Sequence, residues 1–512
     1  MLKKLLSLLL VCAMFLTVLV SCGGDGGNEV PTQPQSNSNQ SNNKPKDEEV
    51  YDITEILPES LKFGTAQAPT EFVVSVRNAS RTIKDLGVKN DESPLSQELC
   101  ERTMSTEERL AVAIDIDYLL STNVNDTIAN LRNNIMYGEG KWDAIAGVSY
   151  RVPELASEGL FYNLYNFDYL DLSQEWWSQA LVKELTVNNR LYLATGDISV
   201  EYMDMCHAIF FNQTLARAMD MDYSTFYQLV SSGKWTFDQL YTLSKDAYRD
   251  LNTSQRADDG DQFGLLISST MLQAFYGAAR INVVVNNGTD RPSFNFNTTL
   301  IEDVWSELSK LVNSTSTVLN CSGVTSSGPS VSLDLAEYFA SGKALFLCAT
   351  LNSLVEFTNM KDSYGVLPTP KYNEAQQQYG TQLHSCALWS IPVDADNPDM
   401  SAAVMTSMAY DSHEIVIEPH FERLLKTRYV KDSESGYMID TIYNNMYMNF
   451  DSIYNEVFHP GSDFSDKNVM PMFIFGAFVN GKAGSANAWW DQNRENLQTE
   501  LEFVLKSFYQ EE

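Results

Sequence analysis

The stretch "RLAVAIDIDYLLSTNVNDTIANLRNNIMYGEGKWDAIAGV" (109–148) decides the fold, because two short apolar runs flank a helix-like segment. The runs "RLAVAIDI" (109–116) and "DAIAGV" (143–148) are typical of strands covered on both faces. Between them, apolar residues follow the spacing of one helix face, and Gly138 stands where a C-cap is expected. Strand, helix and strand form a βαβ unit, so we predict an α/β protein with a parallel sheet.

The rest of the chain continues this alternation before it becomes helical. "EFVVSV" (71–76) and "CHAIFF" (206–211) predict further strands. Thr236 and Gln239 have the spacing of a capping box, which predicts a helix start. From Pro398 onward the periodicity predicts mainly helices.

The N-terminus has the layout of an export signal. Lys3 and Lys4 precede a mostly apolar run that ends at Val20, and this run is shorter than the roughly 20 residues of a membrane span. "LVSC" at 19–22 resembles the lipobox of bacterial lipoproteins, which implies cleavage before Cys22 and a lipid on its sulfur. An ordinary signal with an incidental cysteine is the alternative. We therefore expect a signal peptide at 1–21 and a protein anchored to the cell membrane, facing the extracellular or periplasmic side.

Composition limits the partners of the mature chain. Residues 22–55 are rich in Gly, Ser, Asn, Gln and Pro, which predicts a flexible tether. The whole chain has a formal net charge of −32, and removing the two signal lysines makes it more acidic still. Such a surface repels phosphate, so we expect no nucleic-acid partner. Cys348 and Cys386 lie in apolar runs, where they are either a disulfide or small buried residues.

Six further segments are informative when they are taken together: "YGEGKWDAIAGVSYRVPELASEGLFYNL" (137–164), "CHAIFFNQTL" (206–215), "SGKWTFDQLYTLSKDA" (232–247), "EYFASGKALFLCAT" (337–350), "YGVLPTPK" (364–371) and "LHSCALWSIPVDADNPDMSAAVM" (383–405). In this order they resemble the extracellular solute-binding proteins of ABC importers, in the group that includes maltose- and oligosaccharide-binding lipoproteins. The resemblance runs from about Phe72 to the C-terminus.

The resemblance implies a periplasmic-binding-protein-like fold of class II type, with two α/β lobes joined by hinge strands and a helical C-terminal part. Ligand binds between the lobes, and their closure buries it. The expected lobes are 60–204 plus 384–450 and 205–383 plus 451–512, with a third crossing after about residue 450. We expect a monomer that gives a sugar or oligosaccharide to the membrane subunits of an ABC permease.

Candidate ligand-binding residues follow from the resemblance and from strand ends, where open α/β sheets bind ligands. Tyrosine, arginine and carboxylate side chains suit sugar hydroxyls because they stack on sugar rings or form paired hydrogen bonds. Thr350 and Asn352 occupy a turn where relatives often have a stacking tryptophan. The full set of candidates is Tyr150, Arg151, Glu201, Tyr202, Asp204, Thr350, Asn352 and His384.

The loop "DLNTSQRADDGD" (250–261) resembles a calcium-binding loop. Oxygen-bearing side chains occupy calcium-loop positions, namely Asp250, Asn252, Ser254, Asp258 and Asp261. Gln255 stands in place of the turn glycine, and Ser254 in place of an acid, so we expect weak calcium binding or a plain acidic turn. We expect no other cofactor.

Enzyme motifs such as H-E-x-x-H, G-x-S-x-G and the Walker loop are absent from the sequence. We therefore expect a binding protein without catalysis. Two alternatives stay open, a secreted glycoside hydrolase or lyase and an outer-membrane glycan-binding lipoprotein built of helix pairs. Peptides and polyamines are alternative solutes for an acidic cleft.

Overall fold

The computed structural model describes residues 51–77, 85–86, 93–119, 121, 123–255, 257–288, 291–320, 334–421, 433–458, 474–479, 481 and 483–510. The predicted signal peptide, Cys22 and most of the predicted tether lie outside these residues. Among the described helices, none combines the length and apolar character that a membrane span needs.

The strands form two larger sheets and two short pairs. They are β1 (Thr70–Arg77), β2 (Val112–Leu119), β3 (Ala144–Val148), β4 (His207–Asn212), β5 (Phe263–Ser268), β6 (Val284–Val285), β7 (Ser293–Phe294), β8 (Thr317–Asn320), β9 (Ala344–Thr350), β10 (Tyr364–Pro368), β11 (Thr381–Gln382), β12 (Ala387–Ser390) and β13 (Met446–Tyr447).

The α-helices surround these sheets. They are α1 (Pro94–Leu110), α2 (Val124–Tyr137), α3 (Pro153–Ser157), α4 (Gln179–Leu185), α5 (Glu201–Asp204), α6 (Gln213–Ala218), α7 (Ser224–Ser231), α8 (Phe237–Ser244), α9 (Leu272–Ala278), α10 (Thr298–Val312), α11 (Leu335–Ala340), α12 (Pro398–Asp411), α13 (Ser433–Asn444), α14 (Phe450–Ile453), α15 (Ile474–Val479) and α16 (Ala486–Tyr509). A π-helical segment, Ser412–Ile417, continues α12, and 3₁₀ segments cover Ile53–Glu55, Leu164–Asn166, Ser269–Met271 and Leu351–Asn359.

The first sheet confirms the predicted βαβ unit. Its strand order is β12-β3-β1-β2, with β1 parallel to β2 and β3 and with β12 antiparallel. Helix α2 joins β2 to β3 and buries Ile128, Leu131 and Ile135, as the spacing predicts. Gly138 caps it at φ 68°, in the left-handed region that glycine tolerates without strain.

The start of β2 differs from the prediction. Residues 109 and 110 belong to the last turn of α1, and the chain turns at Ala111 with φ 53° before β2 begins at Val112. The apolar run therefore spans a helix end and a strand start.

The second sheet has the order β10-β4-β9-β5-β8. Strand β5 is parallel to β8 and β9, whereas β4 is antiparallel to both of its neighbours, β9 and β10. Thr236 caps α8 by accepting a hydrogen bond from the Gln239 N–H, as predicted. Helices α8 and α10 pack against each other, and α8 also contacts β5.

Two chain segments cross between the sheets side by side. Cys206 and Leu383 form an antiparallel bridge just before β4 and before β12. Helix α13 packs against β10 of the second sheet. Helix α16 contacts both α3, which follows β3 in the chain, and α10, which contacts β8. The predicted lobe boundaries stay predictions.

The described cysteines are free thiols. Cys348 and Cys386, the two that the sequence left open as a disulfide, are both buried and unpaired. Burial holds the pKa of both thiols well above the usual range, so they behave as small core residues.

Candidate functional site

Strand ends from both sheets meet at the two crossing segments. On the first sheet, the Ser149 N–H donates to the Cys386 carbonyl at 2.9 Å just after β3. On the second sheet, the Leu351 N–H donates to the Cys206 carbonyl at 2.9 Å just after β9. The His384 N–H joins the two crossings by donating to the Met205 carbonyl at 3.0 Å. We call the residues 149–151, 205–207, 268–273, 350–352 and 384–386 the hinge site.

The strand ends of the second sheet contribute uncharged polar groups to the hinge site. Thr350 donates its hydroxyl to the Asn352 Oδ1 at 2.6 Å. Ser268 and Thr270, at the end of β5, share a hydroxyl hydrogen bond of 2.9 Å. No charged residue occurs in the sequence from Ser268 to Gln273 or from Thr350 to Val355. This part of the site therefore offers hydroxyl and amide groups.

His384 lies in the hinge site beside a second histidine. Its Nδ1 contacts the Gln273 side-chain amide of α9, and its ring packs edge-to-face on His207 at 5.7 Å between centroids. The Nδ1 of His207 is 2.6 Å from the Gln382 carbonyl oxygen, which only accepts, so Nδ1 carries the proton. Burial, followed by the proximity of His384, lowers the pKa of His207 to about 3. His207 is therefore neutral and structural at physiological pH.

Tyr150 and Arg151 follow β3 as predicted, and Arg151 is already held by other side chains. Its Nε lies 2.8 Å from Glu154 and 3.9 Å from Glu456, and its guanidinium contacts Asn125. Burial raises the pKa of Glu456 to about 7, although the charge of Arg151 opposes the shift. The cationic charge of Arg151 is thus met by neighbouring acids, while Tyr150 is half-buried at the same edge.

The three candidates before the first crossing are engaged in the fold. The Tyr202 hydroxyl is 2.6 Å from the Ser178 hydroxyl and is buried. Asp204 pairs with His420 at 2.9 Å. The backbone N–H of Glu201 donates to the buried carboxylate of Asp85, 3.2 Å away. Their predicted role as solute ligands stays a prediction, and their contacts fix the segment that leads into the hinge.

The calcium-like loop precedes β5, whereas the hinge site includes residues after it, and the loop carboxylates accept hydrogen bonds from the loop and from neighbouring Tyr248. Asp250 accepts from the Gln255 N–H at 3.0 Å, and Asp258 accepts from the Asn252 amide at 2.6 Å. Asp261 is fully buried and accepts from the Tyr248 hydroxyl at 2.8 Å. Gln255 adopts φ 61°, the left-handed backbone that the missing glycine would favour.

Within the described residues, no three His, Cys, Asp or Glu side chains are grouped so that they could hold a metal ion. Calcium binding by this loop, including Asn252 and Ser254, stays a prediction.

Sequence reasoning missed Gln273 and His207 as members of the hinge site. Gln273 stands on α9, 111 residues before His384, and no local pattern connects the two. The apolar run "FGLLIS" (263–268), which forms β5, is the available signal for Gln273, because ligands of open α/β sheets bind after the strand ends.

Comparison with known proteins shows the fold. No family model and no curated protein sequence matches the chain. Among solved structures, UgpB from Mycobacterium tuberculosis in complex with glycerophosphocholine is similar, with a TM-score of 0.53 at 12% identity, over 85% of this chain and 98% of that one. The GacH receptor of Streptomyces glaucescens, solved unliganded and with acarbose, is similar with a TM-score of 0.52 at 14% identity, over 86% and 99% of the two chains.

A third similar structure is the extracellular solute-binding protein from Staphylococcus aureus in complex with maltose. It has a TM-score of 0.51 at 11% identity and covers 86% of this chain and 99% of that one. The predicted two-lobe α/β architecture is thereby confirmed over most of the chain. The chain has the periplasmic-binding-protein-like fold of the extracellular solute-binding proteins.

Proposed function

We propose that the protein captures a neutral, polyhydroxylated solute of the carbohydrate class in the hinge site and performs no chemistry on it. The observation that carries this proposal is the chemistry of the second-sheet strand ends, where hydroxyl and amide groups are offered without a charged residue. Sugars present many hydroxyls that both donate and accept, which suits such a lining.

Charge around the site supports a neutral solute. Arg151 is paired with Glu154, and Asp204 with His420, so these charges are met within the protein. An anionic solute would need an unpaired cation, and a polyamine would need carboxylates directed at it. We propose Tyr150, Gln273, Asn352 and His384 as solute contacts, with Thr350 orienting Asn352.

The proposed membrane location and permease partner are supported by sequence features. The lipobox-like "LVSC" at 19–22 supports a lipid anchor on Cys22, and the segment after it supports a tether. The resemblance to ABC-importer binding proteins supports delivery of the solute to a permease. The protein then works on the outer face of a membrane as a monomer, with the closed, liganded lobes as the form that docks.

A thermal-shift screen of the full chain tests the proposal. Neutral mono-, di- and oligosaccharides are compared with peptides, polyamines and sugar phosphates. We expect a rise in melting temperature with neutral sugars, because a ligand at about 100 times its Kd stabilises the fold by roughly 2.7 kcal/mol. A response restricted to charged solutes or peptides contradicts the proposal, and release of sugar products on incubation indicates an enzyme instead.

A further inference from the structure

His384 is partly exposed at the hinge site, whereas the polar side chains that contact it are buried. The exposed fraction is 5% for Gln273 and 0% for His207. Gln273 comes from α9, and His207 is the first residue of β4. The environment of His384 is therefore set by two buried side chains from separate elements.

The side chain of His207 joins the two crossing segments. Its Nδ1 donates to the Gln382 carbonyl at 2.6 Å, because a carbonyl oxygen only accepts. The backbones pair at the same place, where Cys206 and Leu383 form an antiparallel bridge. His207 thus adds a side-chain hydrogen bond to the backbone pairing of the crossings.

Helix α9 contacts the second crossing at two points one helical turn apart. A Cβ at Gly277 would overlap the side chain of Gln382, so the absence of a side chain allows this close approach. The amide nitrogen of Gln273 lies against the His384 Nδ1. An amide nitrogen only donates, so Nδ1 of neutral His384 accepts and its proton lies on Nε2. Gln273 therefore selects one tautomer of His384.

The hydrogen bond to Gln382 does not by itself account for an imidazole at position 207. The His207 Nε2 is buried and has no hydrogen-bond partner among the described residues, which is unfavourable for a ring nitrogen. The bond to Gln382 uses Nδ1 alone, and an asparagine amide would supply the same donor. The rest of the His207 ring packs edge-to-face on His384, with centroids 5.7 Å apart and planes at 87°. This packing contact accounts for a ring here.

The two rings stay in contact because His207 carries no charge. Burial, followed by the proximity of His384, lowers the pKa of His207 to about 3. At neutral pH the His207 ring therefore does not repel His384, whether or not His384 is protonated. The support that His207 gives to His384 is thus independent of pH near neutrality.

We infer that His207 is a positioning residue of the hinge site, which acts through His384 by holding its ring against Gln273. The inference rests on the proposed solute-binding function, since His384 is a proposed solute contact. A ring that is already held on two sides loses less conformational freedom when a solute binds, and this lower cost increases the affinity. Without the His207 ring, His384 samples further rotamers and is no longer fixed in one tautomer.

Nuclear magnetic resonance of the histidine ring nitrogens tests the positioning in the full chain without any solute. At mildly alkaline pH, where exposed histidines are neutral, we expect His207 to carry its proton on Nδ1 and His384 to carry it on Nε2. Each should be a single tautomer, and His384→Ala identifies the His384 signals. A natural chain in which His207 is protonated on Nε2, or in which His384 mixes tautomers, overturns the inference.

Two variants separate the ring of His207 from its hydrogen bond. His207→Asn keeps a donor for Gln382 but removes the ring, and we expect mixed tautomers of His384. His207→Phe keeps the ring but loses the bond, and we expect a single His384 tautomer together with a lower unfolding free energy. A single tautomer in His207→Asn, or mixed tautomers in His207→Phe, overturns the inference. If His207→Asn does not fold, the natural chain and His207→Phe still decide it.

A double-mutant cycle with the sugar found by the screen tests the same inference in binding. We expect His207→Asn to weaken binding about tenfold in the natural chain and to have no further effect in His384→Ala. His207→Phe should bind the sugar more tightly than His207→Asn. Additive losses from His207→Asn and His384→Ala overturn the inference. If no sugar binds, the proposed function fails, and the tautomers of His384 still show whether His207 positions it.

Discussion

Two polar regions adjoin the hinge, and they differ in what their side chains contact. The strand ends around Thr350 and Ser268 offer uncharged groups that bond mainly to each other. In the segment from Asp197 to Asp204, both aspartates hydrogen-bond to histidines from the continuation of α12. Exchangeable, neutral hydrogen bonds suit a solute that must come and go, whereas buried charge pairs suit a fixed support.

The largest loss of stability is expected when a carboxylate that contacts the charged segment from Asp197 to Asp204 is removed. Asp85 is buried, accepts from the Ser199 hydroxyl at 2.6 Å and from the Glu201 N–H at 3.2 Å, and lies near the buried Arg102. Asp85→Ala leaves both donors and the cation without this carboxylate, and we expect a loss of about 3 kcal/mol in unfolding free energy. Urea denaturation measures it.

Asp85→Asn is the matched control for that change, since it keeps the shape and one acceptor. We expect it to lose less than the alanine variant. Equal stability of Asp85→Ala and the natural chain would show that the segment from Asp197 to Asp204 does not depend on this support.

The comparison is sharpened by a buried carboxylate at a contact between two distant elements, α4 and α14. Glu184 accepts from the Phe450 N–H at 3.0 Å, and burial, with Asp451 adding, raises its pKa to about 7. A raised carboxyl pKa means that stability is present below about pH 4.5 and falls as pH rises through about 7. We expect Glu184→Gln to reduce this pH-dependent loss of stability by on the order of 2 kcal/mol.

Thermal melts from about pH 4 to about pH 8 measure this effect, because that range spans the ordinary and the raised pKa of the carboxyl group. Exposed Glu59 offers a control position, and Glu59→Gln should keep the pH slope of the natural chain. An unchanged slope in Glu184→Gln would exclude Glu184 as its source.

At the uncharged strand ends around Thr350 we expect a smaller effect, which is confined to solute binding. Asn352→Ala removes an amide from the strand end, and we expect about tenfold weaker solute binding, since a lost hydrogen bond costs about 1.4 kcal/mol. Asn359→Ala, an exposed asparagine at the end of the same 3₁₀ segment, is the matched control. Titration calorimetry with the sugar found in the screen distinguishes them, and equal affinities would remove Asn352 from the site.

The smallest change in stability is expected in the calcium-like loop, which is acidic like the segment from Asp197 to Asp204 but lies before β5. Gln255 has φ 61°, so Gln255→Gly should relieve backbone strain and raise stability by about 0.5–1 kcal/mol. The effect is measured by thermal melting with and without calcium. A decrease in stability would show that the glutamine side chain matters more than the backbone.

Local patterns predicted much of the fold, and their failure at α1 has a physical cause. Helix α2 and the Thr236 cap follow from apolar spacing and capping chemistry. The buried face of α1 includes Ser96, Arg102 and Thr106, so its pattern does not look apolar. The buried guanidinium of Arg102 is tolerated there because backbone carbonyls accept its hydrogen bonds and the carboxylates of Asp85 and Asp411 lie near its charge.

The candidate site was predictable only in part. Residues after β3 and β9 follow from the rule that ligands bind at strand ends, so Tyr150 and Asn352 could be named. The pairing of Asp197 with His413 joins positions 216 residues apart, and that of Gln273 with His384 joins positions 111 apart. Such contacts depend on how elements far apart in the sequence pack together, and no local pattern in a single sequence encodes that.

Small-angle scattering of the full chain, with and without a neutral oligosaccharide, tests the central claim most directly. If the lobes close around a neutral solute, its addition at saturation decreases the radius of gyration, and a charged peptide or polyamine leaves the radius unchanged. An unchanged radius with every neutral sugar, together with contraction on a charged solute, would contradict the account.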